Sequence, residues 1–425
     1  MRRAIERKAD MLVRLARCRR DDQMRRQIAL VGLGVLALVT AACGGHPAPA
    51  PAPLPRPDRD AARRDSIARA RAVFVADSLR VVYAERDTAT VRFCAGGDVT
   101  LGTNLDTSWT KLVSRRLHRR VAALPSPDSL LAPLRPLVAG ADFVLLNVEG
   151  AIGDGPPPFD KCAKSTSGCF ALRMPPAAAP AIRRITSRTV VANLANNHAR
   201  DAGAEGLRET QRVLERAGVI VTGVDTLPTL AVTQHGDTVA FLGFATSGGD
   251  NDLRDLQAVS RHVARAAASN RRVIVTMHLG AEGATAQRTV DSTERYLDSP
   301  RGNPVAFADA ATAAGADLVI GHGPHVVRAA EWRDSSLVLY SLGNLVTYGP
   351  FSHREPMRRG VVACATVDGR GAVRAVRLHP TVQHAPGRMR VDRSKRALVL
   401  IDSLSKLDFP QTGARVLRDG RVVRR

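Results

Sequence analysis

The sequence predicts an α/β domain built on a largely parallel sheet. Between Val91 and Asn344, short β-branched and apolar runs alternate with runs of helical period. Most of the strand-like runs stop abruptly on Gly, Asn, Asp or His. Beyond Gly360 two strand-like runs are joined by Asp368-Gly369, a hairpin signal. Open α/β sheets hold ligands outside the carboxyl ends of their strands, so the polar residues at those ends are the candidates for function.

The N-terminus reads as an address. Ile28–Ala42 is apolar, follows Arg25 and Arg26, and closes on small residues before Cys43. That is a charged region, an apolar region and a cleavage-type end, shorter than the roughly 20 apolar residues of a stable span. Ala41-Ala42-Cys43-Gly44 resembles a bacterial lipoprotein box, with Thr40 where Leu is usual. Met24 is a better start than Met1 for such a leader. The expectation is an exported, membrane-anchored lipoprotein of the cell envelope, lipidated at Cys43, with a cleaved or uncleaved secretory signal as the alternative. Residues 1–43 are then leader and 44–90 a Pro/Ala tether followed by a charged helix-like stretch. Residues 91–407 form the domain and 408–425 a C-terminal tail.

Within the domain, Val91–Ala95 leads to Gly96-Gly97-Asp98, and Ala141–Leu146 leads to Asn147-Val148-Glu149-Gly150. Thr189–Leu194 leads to Asn196-Asn197-His198, and a helix over 206–217 follows. Thr238–Phe244 carries no ligand-type residue and reads as ordinary sheet. Arg272–Met277 ends at His278, and Asp317–Ile320 ends in Gly321-His322-Gly323-Pro324-His325 after a helix over 304–314. A single strand is expected over Leu337–Leu342, before Gly343-Asn344. The end of the chain reads as one helix and a short strand.

Composition narrows the partners. The 425 residues carry a net charge of +22, but the basic residues are mostly Arg and spread over the whole chain. Aromatics are only 4%, and no nucleic-acid motif appears, so no nucleic-acid partner is expected. Export lets the cysteines pair. Cys162 and Cys169, close together in a Pro/Gly/Ser-rich loop, suggest a loop-closing disulfide. Cys94 and Cys364 read as buried small hydrophobes inside strands, or as a disulfide between neighbouring strands.

Asp98, Glu149, Asn197, His198, His278, His322 and His325 all follow directly on a strand-like run. Carboxylate, amide and imidazole are the donors that hold borderline divalent cations such as Mn, Fe or Zn, and a pair of such ions can clamp a phosphoryl group. Asp201 has two readings, a helix N-cap or a partner that orients His198, the cap being the more ordinary. Glu282 is a ligand or general base, or else a solvated loop carboxylate. Asn344 is expected to fix a turn near the site. His235, His262, His353, His379 and His384 read as surface or hairpin histidines.

The runs Gly97–Gly102, Asn147–Gly150, Leu194–Gly203, Gly321–Val326 and Tyr340–Asn344 resemble the CapA family of poly-γ-glutamate capsule synthesis proteins. That family lies within the calcineurin-like metallophosphoesterase superfamily. The resemblance runs from about Val91 to Leu407 and implies a four-layer α/β/β/α sandwich with the site at the strand ends. It implies Asp98, Glu149, Asn197, His278, His322 and His325 as metal ligands, two divalent ions being held (Mn, Fe, Zn or Mg). It implies His198 as the imidazole that contacts the phosphate; Asp201 and Glu282 are the other catalytic candidates on the residue readings above, not from the resemblance. It implies an anionic polymer or phosphoester as substrate, and membrane-bound polymer synthesis proteins as partners. Thr100 stands where the superfamily has a metal-binding His, Leu279 where the branch often has Trp, and Ala151 where it often has Pro.

Overall fold

A computed structural model describes residues 90–102, 125–154, 161, 170–246, 249–349 and 353–425. The leader with Cys43, the tether, and Cys162 and Cys169 lie outside the described residues.

Two sheets make the body of the domain. The first contains β1 (Val91–Thr100), β2 (Phe143–Val148), β3 (Thr189–Asn193) and β4 (Ile220–Thr222). It is completed by β11 (Asn344–Thr347), β12 (Arg359–Val367), β13 (Val373–His384) and β14 (Arg388–Val391). The second contains β5 (Thr229–Val232), β6 (Thr238–Ala245), β7 (Val273–His278), β8 (Leu318–His322), β9 (Ala330–Arg333) and β10 (Ser336–Leu339). The first is ordered β14-β13-β12-β1-β2-β3-β4, with β11 also beside β1, and the second β9-β10-β8-β7-β6-β5.

Strand alternation sorts the side chains into layers. Phe143 and Leu145 of β2 point between the sheets, where they join Phe93, Phe241, Ile274 and Ile320 in one buried cluster. Val144 and Leu146 point the other way, onto α1 (Pro127–Leu131), α2 (Ala178–Arg183) and α3 (Gly203–Arg216). On the far side Val273, Val275 and Val319 pack against α4 (Leu256–Ser269) and α5 (Pro304–Ala313). The result is the expected four-layer α/β/β/α sandwich. A last helix, α6 (Arg396–Asp408), contributes Leu398 and Ile401 to the central cluster and Leu404 to the outer one.

Two boundaries differ from the sequence reading. The run Leu337–Leu342 is not one strand: β10 stops at Leu339, and the chain crosses to the first sheet as β11. Gly343 makes this possible, with φ +68, and a Cβ on Gly97 would lie 1.8 Å from its carbonyl oxygen. The segment 408–425 is not a free tail either. Ala414 and Val416 are buried in the central cluster, and Ala414 donates its N–H to the Ala330 carbonyl.

Cys94 and Cys364 face each other on β1 and β12 and form a disulfide across 270 residues. It ties the first parallel strand to the C-terminal hairpin. Replacing both with Ala should lower stability by about 2–4 kcal/mol. A thermal or urea midpoint equal to that of the unaltered chain would contradict this.

Candidate metal centre

The site begins as one rung across each sheet. In the first, Asn344, Asp98, Asn147 and Asn193 are successive register partners on β11, β1, β2 and β3. In the second, His322 on β8 is the register partner of His278 on β7. Parallel strands that end together thus bring polar residues far apart in sequence to one edge. Asp98, Glu149, His278, His322 and His325 are all buried.

Distances join these five into one cluster. Asp98 lies 3.0 Å from His325 Nδ1 and 3.4 Å from His322 Nδ1. Glu149 lies 3.6 Å from His325 Nε2 and 3.7 Å from His278 Nε2. Donor atoms of Asp98, Glu149 and His325 fall within 4.8 Å of one another, close enough to share a cation. Both carboxylate oxygens of Glu149, Nε2 of His278, both ring nitrogens of His322 and Oδ1 of Asn197 are buried without a hydrogen-bond partner. Such atoms are costly to bury. A carboxylate, amide and imidazole set with open electron pairs fits divalent cations of borderline softness.

Electrostatics follow from that burial. Burial pushes the Glu149 carboxyl well up, and it pushes the His278 imidazole well down. For Asp98, burial is outweighed by the adjacent imidazoles of His322 and His325, which hold it well below the usual carboxylate range. Burial likewise works against a charged His325, but Glu149 and Asp98 push it up to about 10.

The remaining predicted residues take definite places. His198 and Asn197 follow the end of β3. Asp201 is not the cap of α3, whose N-cap is Ala202 with no side-chain bond. Instead its Oδ2 sits 2.6 Å from Nδ1 of His198, and it also accepts from the Leu172 N–H and from Lys161. Glu282 is not a solvated loop residue: it is mostly buried, paired with Arg301, and 3.8 Å from His325 Nε2. Asn344 does more than shape a turn, since its Oδ1 lies 3.0 Å from His325 Nδ1 and its amide donates to the His325 carbonyl. His325 itself has φ +59, a backbone state uncommon for a residue with a Cβ.

Three supports were not assigned from the sequence. Asn147 donates to Asp98 Oδ1 at 2.8 Å and lies 3.3 Å from His278 Nδ1. Its own oxygen accepts from Asn193 and Asn196. Thr100 donates its hydroxyl to the Glu149 carbonyl at 2.7 Å. Arg301 pairs with Glu282. The Asn147-Val148-Glu149 run was visible, but which of its members touched the ligands depended on strand register.

The profile described as "Bacterial capsule synthesis protein PGA_cap" matches residues 92–348. The chain is similar to the "PGA biosynthesis protein CapA" of Bacillus subtilis (strain 168), at 24% identity over 239 residues, 54% of this chain and 60% of that one. It is similar to the "Capsule biosynthesis protein CapA" of Bacillus anthracis, at 29% identity over 175 residues, 37% of this chain and 39% of that one. The matched stretch therefore spans less than two thirds of either relative's length. Among solved structures, a 5'-nucleotidase precursor from Thermus thermophilus aligns with TM-score 0.35 at 15% identity, covering 74% of this chain and 59% of that one.

Two outcomes test the geometry. A His with raised pKa adds stability that is full below its unfolded value, about 6.5, and is lost as pH rises through its folded value. Metal-free protein should therefore lose stability between neutral pH and about 10, the window set by His325. A metal taking His325 must displace its proton, so calorimetric titration at pH 7 in two buffers should show proton release, and none would contradict the assignment. Asn147→Ala removes the donor to Asp98 and one acceptor from each of the Asn193 and Asn196 amides. It should cost about 1–3 kcal/mol of stability and weaken metal uptake about 10–100-fold, read by thermal unfolding and equilibrium dialysis.

Proposed function

The chain belongs to the bacterial capsule synthesis protein family PGA_cap, and on that premise we propose that it acts in making or exporting an anionic, poly-γ-glutamate-like surface polymer by metal-dependent hydrolysis or transfer. The observation that carries this is the buried cluster of Asp98, Glu149 and His325, flanked by His278 and His322 with unpartnered nitrogens. Divalent ions would be held by Asp98, Glu149, Asn197, His278, His322 and His325. Bound there, they would polarise a phosphoryl or acyl centre and make water a nucleophile at neutral pH.

The chain's own residues supply the rest. Asp201 accepts from Nδ1 of His198 and so fixes that ring's orientation. Nε2 is then the atom free to stabilise charge developing on the substrate oxygen. Asn147 and Asn344 hold Asp98 and His325 in place through direct hydrogen bonds. Glu282 is turned toward His325 and restrained by Arg301.

Export and anchoring belong to the same proposal. The apolar Ile28–Ala42 stretch ending at Cys43 supports it, and so does the Cys94–Cys364 disulfide, which suits an oxidising compartment. A second reading is favoured by one residue. Thr100 spends its hydroxyl on the Glu149 carbonyl and offers no imidazole, which suits a non-catalytic protein that holds the polymer in the same cleft.

Elemental analysis of purified protein separates the two. Two tightly held transition-metal ions per chain support hydrolysis or transfer, and none supports the holder. With a chromogenic phosphodiester or a γ-glutamyl polymer as substrate, His198→Ala and His322→Ala should each lower kcat by at least about 100-fold with folding intact. His322→Ala should also lose metal, whereas His198→Ala should keep it. Full turnover in both variants would overturn the mechanism.

A further inference from the structure

Away from the metal centre, the start of β12 and the ends of β13 and β14 enclose a cavity of about 600 Å³. That is within the size range of small-ligand pockets, about 300–1,000 Å³. Its charged lining is Arg358, Arg359, His384, Arg390 and Arg393 against a single carboxylate, Asp392. Arg359 uses that carboxylate, and Glu355 nearby, in ion pairs. No ion pair joins Arg358, Arg390 or Arg393 to a carboxylate among the described residues. Nε of Arg358 is buried without a hydrogen-bond partner, while its Nη2 lies 3.2 Å from Nδ1 of His384. Three guanidinium groups thus line one hollow without a carboxylate partner.

We propose that this cavity is a second binding site, taking carboxylate groups of an acidic polymer whose reacting part lies in the metal centre. The guanidinium fork matches a carboxylate with two parallel hydrogen bonds. Partial burial and the neighbouring Arg358, Arg390 and Arg359 hold the His384 imidazole below its usual pKa, as a positive hollow should. His384, an ordinary hairpin histidine by sequence, thus stands in a functional cavity. The segment that carries Arg358 and Arg359 is tied to the strand end that carries Asn344. Asn344, which holds His325, donates to the Met357 carbonyl, and Gly360 bridges to Gly343. Arg358 and Arg359 lie between those two points of attachment.

The inference rests on the polymer reading above, and its test needs no turnover. Fluorescent γ-linked polyglutamate is titrated into the full chain at low salt with EDTA present, and anisotropy is read. Arg390→Ala/Arg393→Ala should weaken binding by about tenfold or more. A control pair on the exposed face of α3, Arg208→Ala/Arg212→Ala, should bind as the unaltered chain does, and circular dichroism should show all three folded. Equal affinity in both double variants overturns the site while leaving the polymer reading intact. Equal loss in both shows only diffuse charge and also overturns it. If the unaltered chain ignores polyglutamate, or prefers polyphosphate or anionic vesicles, the polymer reading itself falls and the carboxylate assignment with it.

Discussion

Strand register is the constraint on which the site depends. Side chains alternate with a period of two, so a slip of one residue between β1 and β2 would turn Asp98 or Asn147 away from the edge they share. The same holds for His278 and His322 on β7 and β8, which are direct register partners. The central core fixes this register from below. Phe93, Phe143 and Phe241 lie with ring centroids 5.9 Å apart in the pairs Phe93–Phe241 and Phe143–Phe241, locking β1 and β2 of one sheet against β6 of the other. Apolar burial near the base of the strands thus positions polar residues at their ends.

Those ends carry an electrostatic load that an ordinary core would not accept. Glu149 has neither oxygen hydrogen-bonded, and His322 has neither nitrogen so bonded. Isolated burial of this kind costs several kcal/mol, and it persists only where the surroundings over-determine it or a ligand relieves it. Asn147 shows how the load is organised. One amide donates toward Asp98 and accepts from Asn193 and Asn196, so four strand-end residues are joined in one hydrogen-bonded network. Only the electron pairs facing inward are left open.

Local signals made the strand ends legible. A β-branched run that stops on Asp, Asn or His marks both the strand and its candidate ligand, and Asp98, Glu149, His278 and His322 were visible on that ground. Supports acting across strands were not. Nothing near Asn147 in the sequence says that its neighbours are Asp98, 49 residues before it, and His278, 131 after it. The Cys94–Cys364 pair was open for the same reason, because pairing of β1 with β12 is set by topology over 270 residues. Asp201 went to the cap reading because caps are local and common, whereas its bond to His198 depends on a turn that ends the strand. The split of Leu337–Leu342 hid behind continuous hydrophobicity, which cannot show that the chain leaves one sheet for another.

The charge of the chain also changes meaning once it is placed in space. A net +22 spread over 425 residues says little about any ligand, and many Arg side chains are consumed locally, as Arg208 and Arg212 are by Glu205 on α3. Two places among the described residues bear on ligands. In the metal centre the unpartnered atoms are electron-pair donors, which suit cations. In the cavity by β12 the unpaired side chains are proton donors, which suit anions. A substrate with repeated negative groups would meet both demands at once on the reading proposed above: its reacting group would lie at the metal centre, and groups farther along the chain would neutralise the guanidinium groups. The hydrogen bond from Asn344 to the Met357 carbonyl ties the residue that contacts His325 to the segment leading into Arg358.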